Sequence, residues 1–176
     1  MNTLQNTSFF QERALIRVDF NVPLDDNGNV TDATRIVAAL PTIKYILEQG
    51  GSCVLMSHLG RPKGKDPKLS LKQIVPTLEK LLGKTVHFCD ETVGPKATAQ
   101  ASALEQGTVM IIENLRFHEE ETKGDKAFSE ALSKLGTVYV NDAFGTAHRA
   151  HASTTIVAQF FPNKKCFGHL LAGEIT

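Results

Sequence analysis

The chain has 176 residues, of which 41% are hydrophobic, and its 19 lysines and arginines balance 19 aspartates and glutamates. A chain of this length can build one well-packed domain, and we expect a single domain. The zero net charge excludes a globally basic protein that binds nucleic acid or a membrane surface, so any anion site must be local. No apolar run approaches the length of a membrane span, and we expect a cytoplasmic location.

The three cysteines, Cys53, Cys89 and Cys166, are far apart and show no CxxC spacing. An odd and scattered set of this kind argues against a disulfide framework and against a zinc site. Each cysteine lies in an apolar run, so we expect buried thiols in a reducing compartment.

The first predicted strand lies in the stretch ALIRVDFNVP, residues 14–23. It delivers an acid, Asp19, and an amide, Asn21, before Pro23 stops it, because proline cannot continue a β-ladder. Further apolar, β-branched runs predict strands at residues 52–57, 86–88, 108–113, 137–142 and 166–170.

Segments with helical spacing lie between most of these runs. Residues 36–47 carry apolar side chains at steps of three and four, and Pro41 inside them predicts a kink or two short helices rather than one straight helix. Ser70 is predicted to cap a helix that Gly83 ends. Further helices are expected at residues 97–104, 125–135 and 154–160.

Short strands that alternate with helices indicate βαβ units and a mostly parallel sheet. Right-handed crossovers place helices on both faces, which predicts a Rossmann-like α/β fold of three layers, α/β/α, around a six-stranded parallel sheet. Residues 168–176 look like the start of a helix that has no cap. We therefore expect the chain to be the first part of a longer protein.

Polar residues follow several of the predicted strands at their carboxyl ends, where open α/β sheets bind ligands. Asp19 and Asn21 follow the first strand, and Arg35 lies in the first turn of the next helix, on the same side of the sheet. The other strand exits carry a further set: His58, Arg61, Asn114, Arg116, Asp142, His148, Arg149 and His151.

Four arginines of this set, Arg35, Arg61, Arg116 and Arg149, indicate that the ligand is an anion. The planar fork of arginine holds phosphate or carboxylate oxygens through two hydrogen bonds and stays charged in any pocket. A single loop arginine or histidine is more often a solvated surface residue, but separate accidents would not place so many at strand exits. We infer a small, multiply anionic metabolite.

Several polar residues are assigned no part in this site. Residues 119–121, three glutamates, are interpreted as a solvated charge run before a helix. No functional role is assigned to His87, His118, Arg13 or Arg17.

Signatures of nucleotide and metal binding are absent from the sequence. No GxGxxG motif follows a strand, and residues 60–66 fail the P-loop pattern in spacing and lack its hydroxyl. The chain is therefore not expected to hold a nucleotide or another cofactor by itself. Asp19, Asp90 and Asp142 show no spacing typical of metal ligands, so we expect no metal site.

Five blocks of the sequence resemble the phosphoglycerate kinase family, in the family's order. The blocks are RVDFNVP at residues 17–23, DATRI at 32–36, SHLGRP at 57–62, ENLRF at 113–117 and NDAFGTAHRAHAS at 141–153. Several are long and chemically unusual, and the resemblance covers nearly the whole chain. It is to the family's N-terminal, substrate-binding domain, which implies a sheet with strand order 342156 and helices on both sides.

The resemblance implies a site for 3-phosphoglycerate or 1,3-bisphosphoglycerate. Asp19 and Asn21 are implied to hold the glycerate hydroxyl and nearby oxygens, and Arg35 to act catalytically by stabilising the transferring phosphoryl group. The 3-phosphate is implied to be held by His58, Arg61, Arg116 and Arg149. The remaining implied residues are Phe20, Leu59 and Gly60 in the substrate-binding set, with His148 and His151 in the same basic patch.

The same resemblance implies that residues 1–170 form the substrate-binding domain of a two-domain kinase and that residues 171–176 begin the interdomain helix. ADP or ATP with Mg²⁺ then binds to a C-terminal domain that is absent from this chain. The family's glycolytic reaction, reversible phosphoryl transfer from 1,3-bisphosphoglycerate to ADP, is therefore not expected from this chain alone. We expect a monomer whose partners are the glycerate phosphate and that second domain.

Two other functions are compatible with the sequence. Residues 16–21 resemble the strand ending in DxD of haloacid-dehalogenase-like phosphatases, although Asn21 replaces the second acid and Val22 and Pro23 replace the usual Gly-Thr. A non-catalytic small-anion sensor would keep the basic edge without any chemistry.

Overall fold

A computed structural model of the chain describes residues 3–143 and 150–168. Within this part, six parallel strands form one sheet in the order β3-β4-β2-β1-β5-β6. The strands are β1 (Arg13–Arg17), β2 (Ser52–Met56), β3 (Val86–Cys89), β4 (Val109–Ile112), β5 (Val138–Asn141) and β6 (Lys165–Phe167). The predicted α/β fold and the strand order are confirmed.

Helices and turns connect these strands. The α-helices of the described residues are α1 (Thr34–Glu48), α2 (Val75–Leu82), α3 (Pro95–Ser102), α4 (Glu119–Lys123) and α5 (Lys126–Ser133). Shorter 3₁₀ turns are found at Pro67–Leu69, Leu71–Ile74, Leu115–Phe117 and Val157–Phe160, and one π-helical turn at Ala152–Ile156.

The central strands are buried on both faces because helices cover the sheet from two sides. In β1, Ala14 and Ile16 pack into a core that includes residues of α1 and α2. Leu15, between them, packs into a second core with residues of α3 and α5. Its partners in the sheet, Val54 of β2 and Tyr139 of β5, belong to that second core. This alternation follows from the two-residue period of a strand and produces the three layers.

A single helix, α1, runs through Pro41, so the expectation of two short helices is wrong. Pro41 lies on the exposed face of α1, whereas Leu40, Thr42 and Ile43 are buried. Proline removes one helical hydrogen bond, but here its ring displaces no packed side chain. Burial of the neighbouring side chains holds the helix together across this position.

The helix predicted between Ser70 and Gly83 is confirmed at both ends. The Ser70 hydroxyl accepts the backbone N–H of Lys72 and begins a 3₁₀ turn that continues into α2. Gly83 ends α2 at a φ of 69°, a left-handed conformation that favours glycine.

Two other predicted helices differ from the structure. Helix α5 is shorter than residues 125–135 and starts after Asp125, whose carboxylate accepts the N–H of Phe128 at 2.8 Å. Residues 154–160 form no α-helix but parts of a π-helical turn and a 3₁₀ turn. The carbonyl oxygen of His151 accepts the N–H groups of three successive residues there.

The three cysteines are buried and make no disulfide, as predicted. Strand β6 covers part of the strand predicted at residues 166–170, and the last two of those residues lie outside the described part of the chain. Across residues 3–143 and 150–168, no helix combines the length and the apolar character needed to cross a membrane.

Candidate functional site

The predicted site residues that the structure describes lie mainly in the loops beyond the carboxyl ends of β1, β2 and β4. Because parallel strands all end at the same edge of the sheet, these loops are neighbours in space. Asp19, Phe20 and Asn21 follow β1, His58, Leu59, Gly60 and Arg61 follow β2, and Arg116 follows β4. Hydrogen bonds between the loops fix their relative positions.

The loop after β1 is held in shape by Asp19, Asn21 and Arg35. Oδ1 of Asp19 accepts the backbone N–H of Asn21 at 3.1 Å and so closes a tight turn. Arg35, near the N-terminus of α1, donates to the same carboxylate oxygen at 3.3 Å and to the Asn21 carbonyl at 3.0 Å. More than half of the Arg35 side chain is exposed (54%), so its guanidinium group is accessible to a ligand.

Asn21 also joins the loop after β1 to the loop after β2. Its side-chain oxygen accepts the backbone N–H of Gly60 at 2.8 Å. Gly60 has a φ of 64°, and a Cβ at this position would come within 2.8 Å of the Leu69 side chain. The loop after β2 therefore folds back against Leu69 with glycine at this position.

Ser57 makes a second link between the same two loops. Its hydroxyl accepts the N–H of Phe20 at 2.9 Å and donates to the carbonyl of His58 at 2.9 Å. The side chains of Phe20 and Leu59 are buried, so these two residues of the predicted set shape the loops rather than present side chains to solvent.

Asn114, fully buried after β4, makes a third link. Its side-chain N–H groups donate to the carbonyls of Leu59 and Leu69 at 2.8 and 2.9 Å. Its Oδ1 accepts the N–H groups of Leu59 and Arg116 at 3.2 and 3.0 Å. Both donors and both acceptor positions of the amide are used, which locks the loop after β2 against the turn that carries Arg116.

A cavity of about 590 Å³ opens beside these loops, and cations form much of its lining. Arg61 and Lys63 contribute from the loop after β2, Arg116 from the turn after β4 and Lys123 from α4. Oε2 of Glu119 lies 3.2 Å from Nζ of Lys123, and this ion pair offsets the charge of the lysine. Guanidinium groups on two sides of one cavity complement a phosphate or carboxylate group.

His58 is buried at the end of β2, with only 6% of its surface exposed. Its Nδ1 lies 2.9 Å from Nη2 of Arg17. Burial lowers the pKa of His58 to about 2, and the positive charges of Arg17, Arg116 and His151 act in the same direction. His58 is therefore neutral at physiological pH, and the positive charge of this edge comes from other residues.

Arg17, which received no role from the sequence, lies at the centre of the buried polar contacts. It is the last residue of β1 and is fully buried. Its Nε donates to the Ser153 hydroxyl at 2.8 Å, and its Nη1 donates to the Val18 carbonyl. Burial lowers the pKa of Arg17, and the charge of Glu121 is the largest effect that opposes the shift.

The interpretation of residues 119–121 as a solvated charge run is wrong for Glu121, which is fully buried in α4. Its carboxylate accepts the backbone N–H of Ser153 at 2.9 Å and, through the other oxygen, the Ser153 hydroxyl. Arg17 donates to that same hydroxyl, so a buried cation and a buried anion meet through one serine. A buried charge needs such compensation, which explains why Glu121 faces inwards.

The predicted residues from the loop after β5 are described only in part. His148 and Arg149 lie outside the described residues. His151 is buried, with 8% of its surface exposed, and its charge acts on His58. Asp142 is also buried, and its backbone N–H donates to the Arg17 carbonyl at 2.9 Å.

Sequence reasoning missed four buried polar residues that shape the site: Arg17, Ser57, Glu113 and Glu121. Glu113 accepts the hydroxyl of Ser70 at 2.7 Å and thereby ties the start of the α2 segment to the end of β4. A signal existed for Arg17, because a charged residue in the apolar run of a central parallel strand is buried and requires a partner. Three consecutive glutamates give no indication of which one is buried.

No group of three or more potential metal ligands comes together in the part of the chain that the structure describes. Asp19 is paired with Arg35, and Asp90 with Lys96 at 2.6 Å. Both of these carboxylates are therefore engaged by a cation of the chain itself.

Comparison with known sequences places the chain among related proteins. The family model for phosphoglycerate kinase matches residues 4–176. "Phosphoglycerate kinase" of Moorella thermoacetica is 54% identical over 98% of this chain and 44% of the relative. "Phosphoglycerate kinase 3, cytosolic" of Arabidopsis thaliana is 52% identical over 91% of this chain and 40% of the relative. The chain spans less than half the length of these curated relatives.

Solved structures show the same relationship. The phosphoglycerate kinase from Pyrococcus horikoshii OT3 matches with a TM-score of 0.90 at 34% identity, covering 99% of this chain and 44% of that one. The enzyme from Coxiella burnetii matches with a TM-score of 0.86 at 34% identity, covering 99% of this chain and 43% of that one. Sequence and fold therefore agree over almost the whole chain.

Proposed function

The chain belongs to the phosphoglycerate kinase family, and we propose that it is the glycerate-binding domain of such an enzyme. The reaction proposed for the whole enzyme is reversible phosphoryl transfer from 1,3-bisphosphoglycerate to ADP, which gives 3-phosphoglycerate and ATP. In this proposal the present chain binds the glycerate substrate, and a further domain binds the nucleotide.

The main support for the proposal is that an acid, an amide and several arginines lie together at one edge of the sheet. Asp19 and Asn21 are tied to Arg35 on one side and to the loop after β2 on the other. Arg61 and Arg116 line the basic cavity next to these loops. Such an arrangement complements a small molecule with a hydroxyl group in the middle and anionic groups at its ends.

The phosphate end of the ligand is assigned to the basic cavity. Arg61 is exposed and Arg116 is half-buried, so both guanidinium groups can form paired hydrogen bonds with phosphate oxygens. His58 and Arg149 are assigned to the same phosphate, and His148 and His151 to its surroundings. The backbone of Phe20, Leu59 and Gly60 determines the shape of the loops around it.

The reacting end of the ligand is assigned to Arg35. Phosphoryl transfer passes through a loose transition state whose negative charge is spread over the equatorial oxygens, so an accessible guanidinium group can stabilise it. Asp19 and Asn21 orient the glycerate. No general base is required, because the acceptor oxygen is already an anion in both directions. This fits a site rich in arginine.

The complete reaction is proposed to need more than this chain, which spans 44% of the Moorella thermoacetica relative. Residues 1–170 are proposed as the substrate domain, and residues 171–176 as the start of the connection to the nucleotide domain. ATP, ADP and Mg²⁺ are assigned to that second domain. Domain closure would then exclude water and align the reacting groups. We propose a cytosolic location and a monomer.

Calorimetric titration of the purified 176-residue chain with 3-phosphoglycerate tests the proposal. We expect 3-phosphoglycerate to bind more tightly than glycerol 3-phosphate, which lacks the carboxylate, and more tightly than inorganic phosphate, which lacks the glycerate. Equal binding of all three would support a general anion sensor instead, and no binding would contradict the proposed site.

Measurement of ATP formation tests whether catalysis requires the second domain. The chain alone is expected to form no ATP above background from 1,3-bisphosphoglycerate and ADP, and appreciable ATP formation would contradict this.

The described contacts do not favour the phosphatase alternative, because Asp19 is engaged by Asn21 and Arg35 rather than poised as a free nucleophile.

A further inference from the structure

A chain of buried hydrogen bonds runs beneath the proposed site through Glu121, Ser153, Arg17 and His58, and we name these four residues the buried relay. We propose that Glu121 and Ser153 are positioning residues that act through Arg17 to fix His58 as a neutral hydrogen-bond donor for the ligand. The inference rests on the proposed function, since His58 is taken to belong to the glycerate phosphate site.

The relay begins with two contacts between Glu121 and Ser153. One carboxylate oxygen accepts the Ser153 backbone N–H at 2.9 Å, and the other accepts the Ser153 hydroxyl. The Ser153 carbonyl accepts the Tyr139 hydroxyl from β5 at 2.7 Å. Ser153 is thus held by helix α4 on one side and by the sheet on the other, and all three residues are fully buried.

The direction of each hydrogen bond follows from the groups involved. A carboxylate can only accept, so the single hydroxyl proton of Ser153 points to Glu121. The lone pairs of the hydroxyl are then available for Nε of Arg17, which lies 2.8 Å away. The negative charge of Glu121 therefore holds the serine oxygen as an acceptor and offsets the buried charge of Arg17.

Arg17 in turn determines the state of His58. A guanidinium group has donors and no acceptor, so its contact at 2.9 Å makes Nδ1 of His58 the acceptor. A neutral imidazole that accepts at Nδ1 carries its proton on Nε2. A doubly protonated ring would bring an N–H group against the guanidinium donors. The other ring nitrogen, Nε2, then carries the proton and can only donate.

This state of His58 suits a phosphate ligand. Phosphate oxygens accept hydrogen bonds, so a ring held with its proton on Nε2 contributes a donor, while the opposite tautomer would direct a lone pair at the phosphate. Loss of the negative charge at Glu121 removes the largest charge that compensates Arg17 and removes the constraint on the serine hydroxyl. The effect passes to the ligand although Glu121 itself is fully buried away from solvent.

The test compares Glu121→Gln with Glu120→Gln, which makes the same chemical change at the exposed neighbouring residue of α4. The first readout is the ¹⁵N NMR signature of the His58 ring in the ligand-free chain, assigned with His58→Gln. Wild type and Glu120→Gln are expected to show the neutral Nε2–H form from pH about 5 to about 8. Glu121→Gln is expected to show averaging of the two tautomers, because Arg17 is then no longer held through Ser153 and its contact with Nδ1 of His58 loosens.

The second readout is the affinity for 3-phosphoglycerate. Glu121→Gln is expected to weaken binding about tenfold, the size of one charge-assisted hydrogen bond, and Glu120→Gln to stay within about twofold of wild type. Wild-type tautomer signals in Glu121→Gln would overturn the proposal, as would a doubly protonated or Nδ1–H ring in the wild type at neutral pH.

A second variant keeps the test decisive if Glu121→Gln does not fold. Ser153→Ala removes the hydroxyl but keeps the backbone N–H that bonds to Glu121. It is expected to show the same tautomer averaging and weaker binding, and a wild-type His58 signature in this variant would overturn the relay. Failure of wild type to bind 3-phosphoglycerate would refute the proposed function, whereas the ligand-free NMR signature decides the relay without any ligand.

Discussion

The candidate site has a buried floor, formed by the buried relay, and a more accessible rim, which includes Arg35, Arg61 and Arg116. Both parts contain arginine, but the surroundings of the arginines differ. In the floor, Arg17 is fully buried and makes hydrogen bonds to Ser153, to the Val18 carbonyl and to His58. In the rim, Arg35 is more than half exposed and makes one long ion pair with a carboxylate that is itself partly accessible. The same side chain positions other groups in the floor and can reach a ligand in the rim.

Burial, rather than membership of a sequence block, separates the two roles. Arg17 and Asp19 are two residues apart in one block, yet Arg17 is sealed into the core while Asp19 faces the loops. Substitutions in the floor should therefore change the free energy of unfolding, and substitutions in the rim should change ligand affinity alone. The following experiments test this separation.

The largest effect is expected for Arg17→Met. The change removes the cation that compensates Glu121 and leaves a buried carboxylate without its partner charge. The free energy of unfolding should fall by about 3–5 kcal/mol, measured by urea unfolding followed by circular dichroism. Arg61→Met, at an exposed position, should change it by less than about 0.5 kcal/mol. Equal stability of the two variants would show that the buried relay does not stabilise the fold.

Asn114→Ala should have the next largest effect. The change leaves the buried carbonyls of Leu59 and Leu69 and the N–H of Leu59 without their partner. We expect a loss of about 2–3 kcal/mol in the same unfolding experiment, since each orphaned buried group costs free energy. Asn27→Ala, in an exposed turn, is the matched control and should be near neutral. A near-neutral Asn114→Ala would mean that the loops hold their positions by other contacts.

The pH dependence of stability tests the neutral state of His58. The pKa of His58 falls from 6.5 to about 2 on folding. Between these values the unfolded chain binds a proton that the folded chain does not, so stability rises with pH, by up to about 1.4 kcal/mol per pH unit. His58→Gln should remove this part of the slope, whereas His87→Gln, at an exposed position in β3, should keep it. An unchanged slope in His58→Gln would show that His58 is protonated in the folded chain.

Most of the fold could be predicted from the sequence because strands and helices differ in period. The six strands lie where apolar, β-branched runs predicted them, and their order matched the family resemblance. One helix spans Pro41 instead of two short ones, and the sequence could not exclude the two short helices because local propensity gives no measure of how strongly Leu40 and Ile43 are buried. Residues 154–160 were misjudged because apolar composition alone does not distinguish an α-helix from shorter turns.

The rim of the site could be predicted because its charged residues follow strand ends, a position that a linear pattern can reveal. The floor could not, because its residues meet across long sequence separations. Glu121 and Ser153 reach Arg17 from more than a hundred residues away along the chain, as the span of 136 residues between Arg17 and Ser153 illustrates. A local sequence pattern covers only neighbouring residues, so it cannot reveal a contact between residues so far apart in the chain.

Titration of 3-phosphoglycerate into wild type and Arg61→Ala tests whether the basic cavity of Arg61 and Arg116 binds the ligand's phosphate. We expect Arg61→Ala to bind about tenfold more weakly or worse, with its unfolding free energy within about 0.5 kcal/mol of wild type. Lys80→Ala, which removes an exposed charge in the last turn of α2, should bind as wild type does. Unchanged binding by Arg61→Ala would show that the basic cavity does not hold the phosphate.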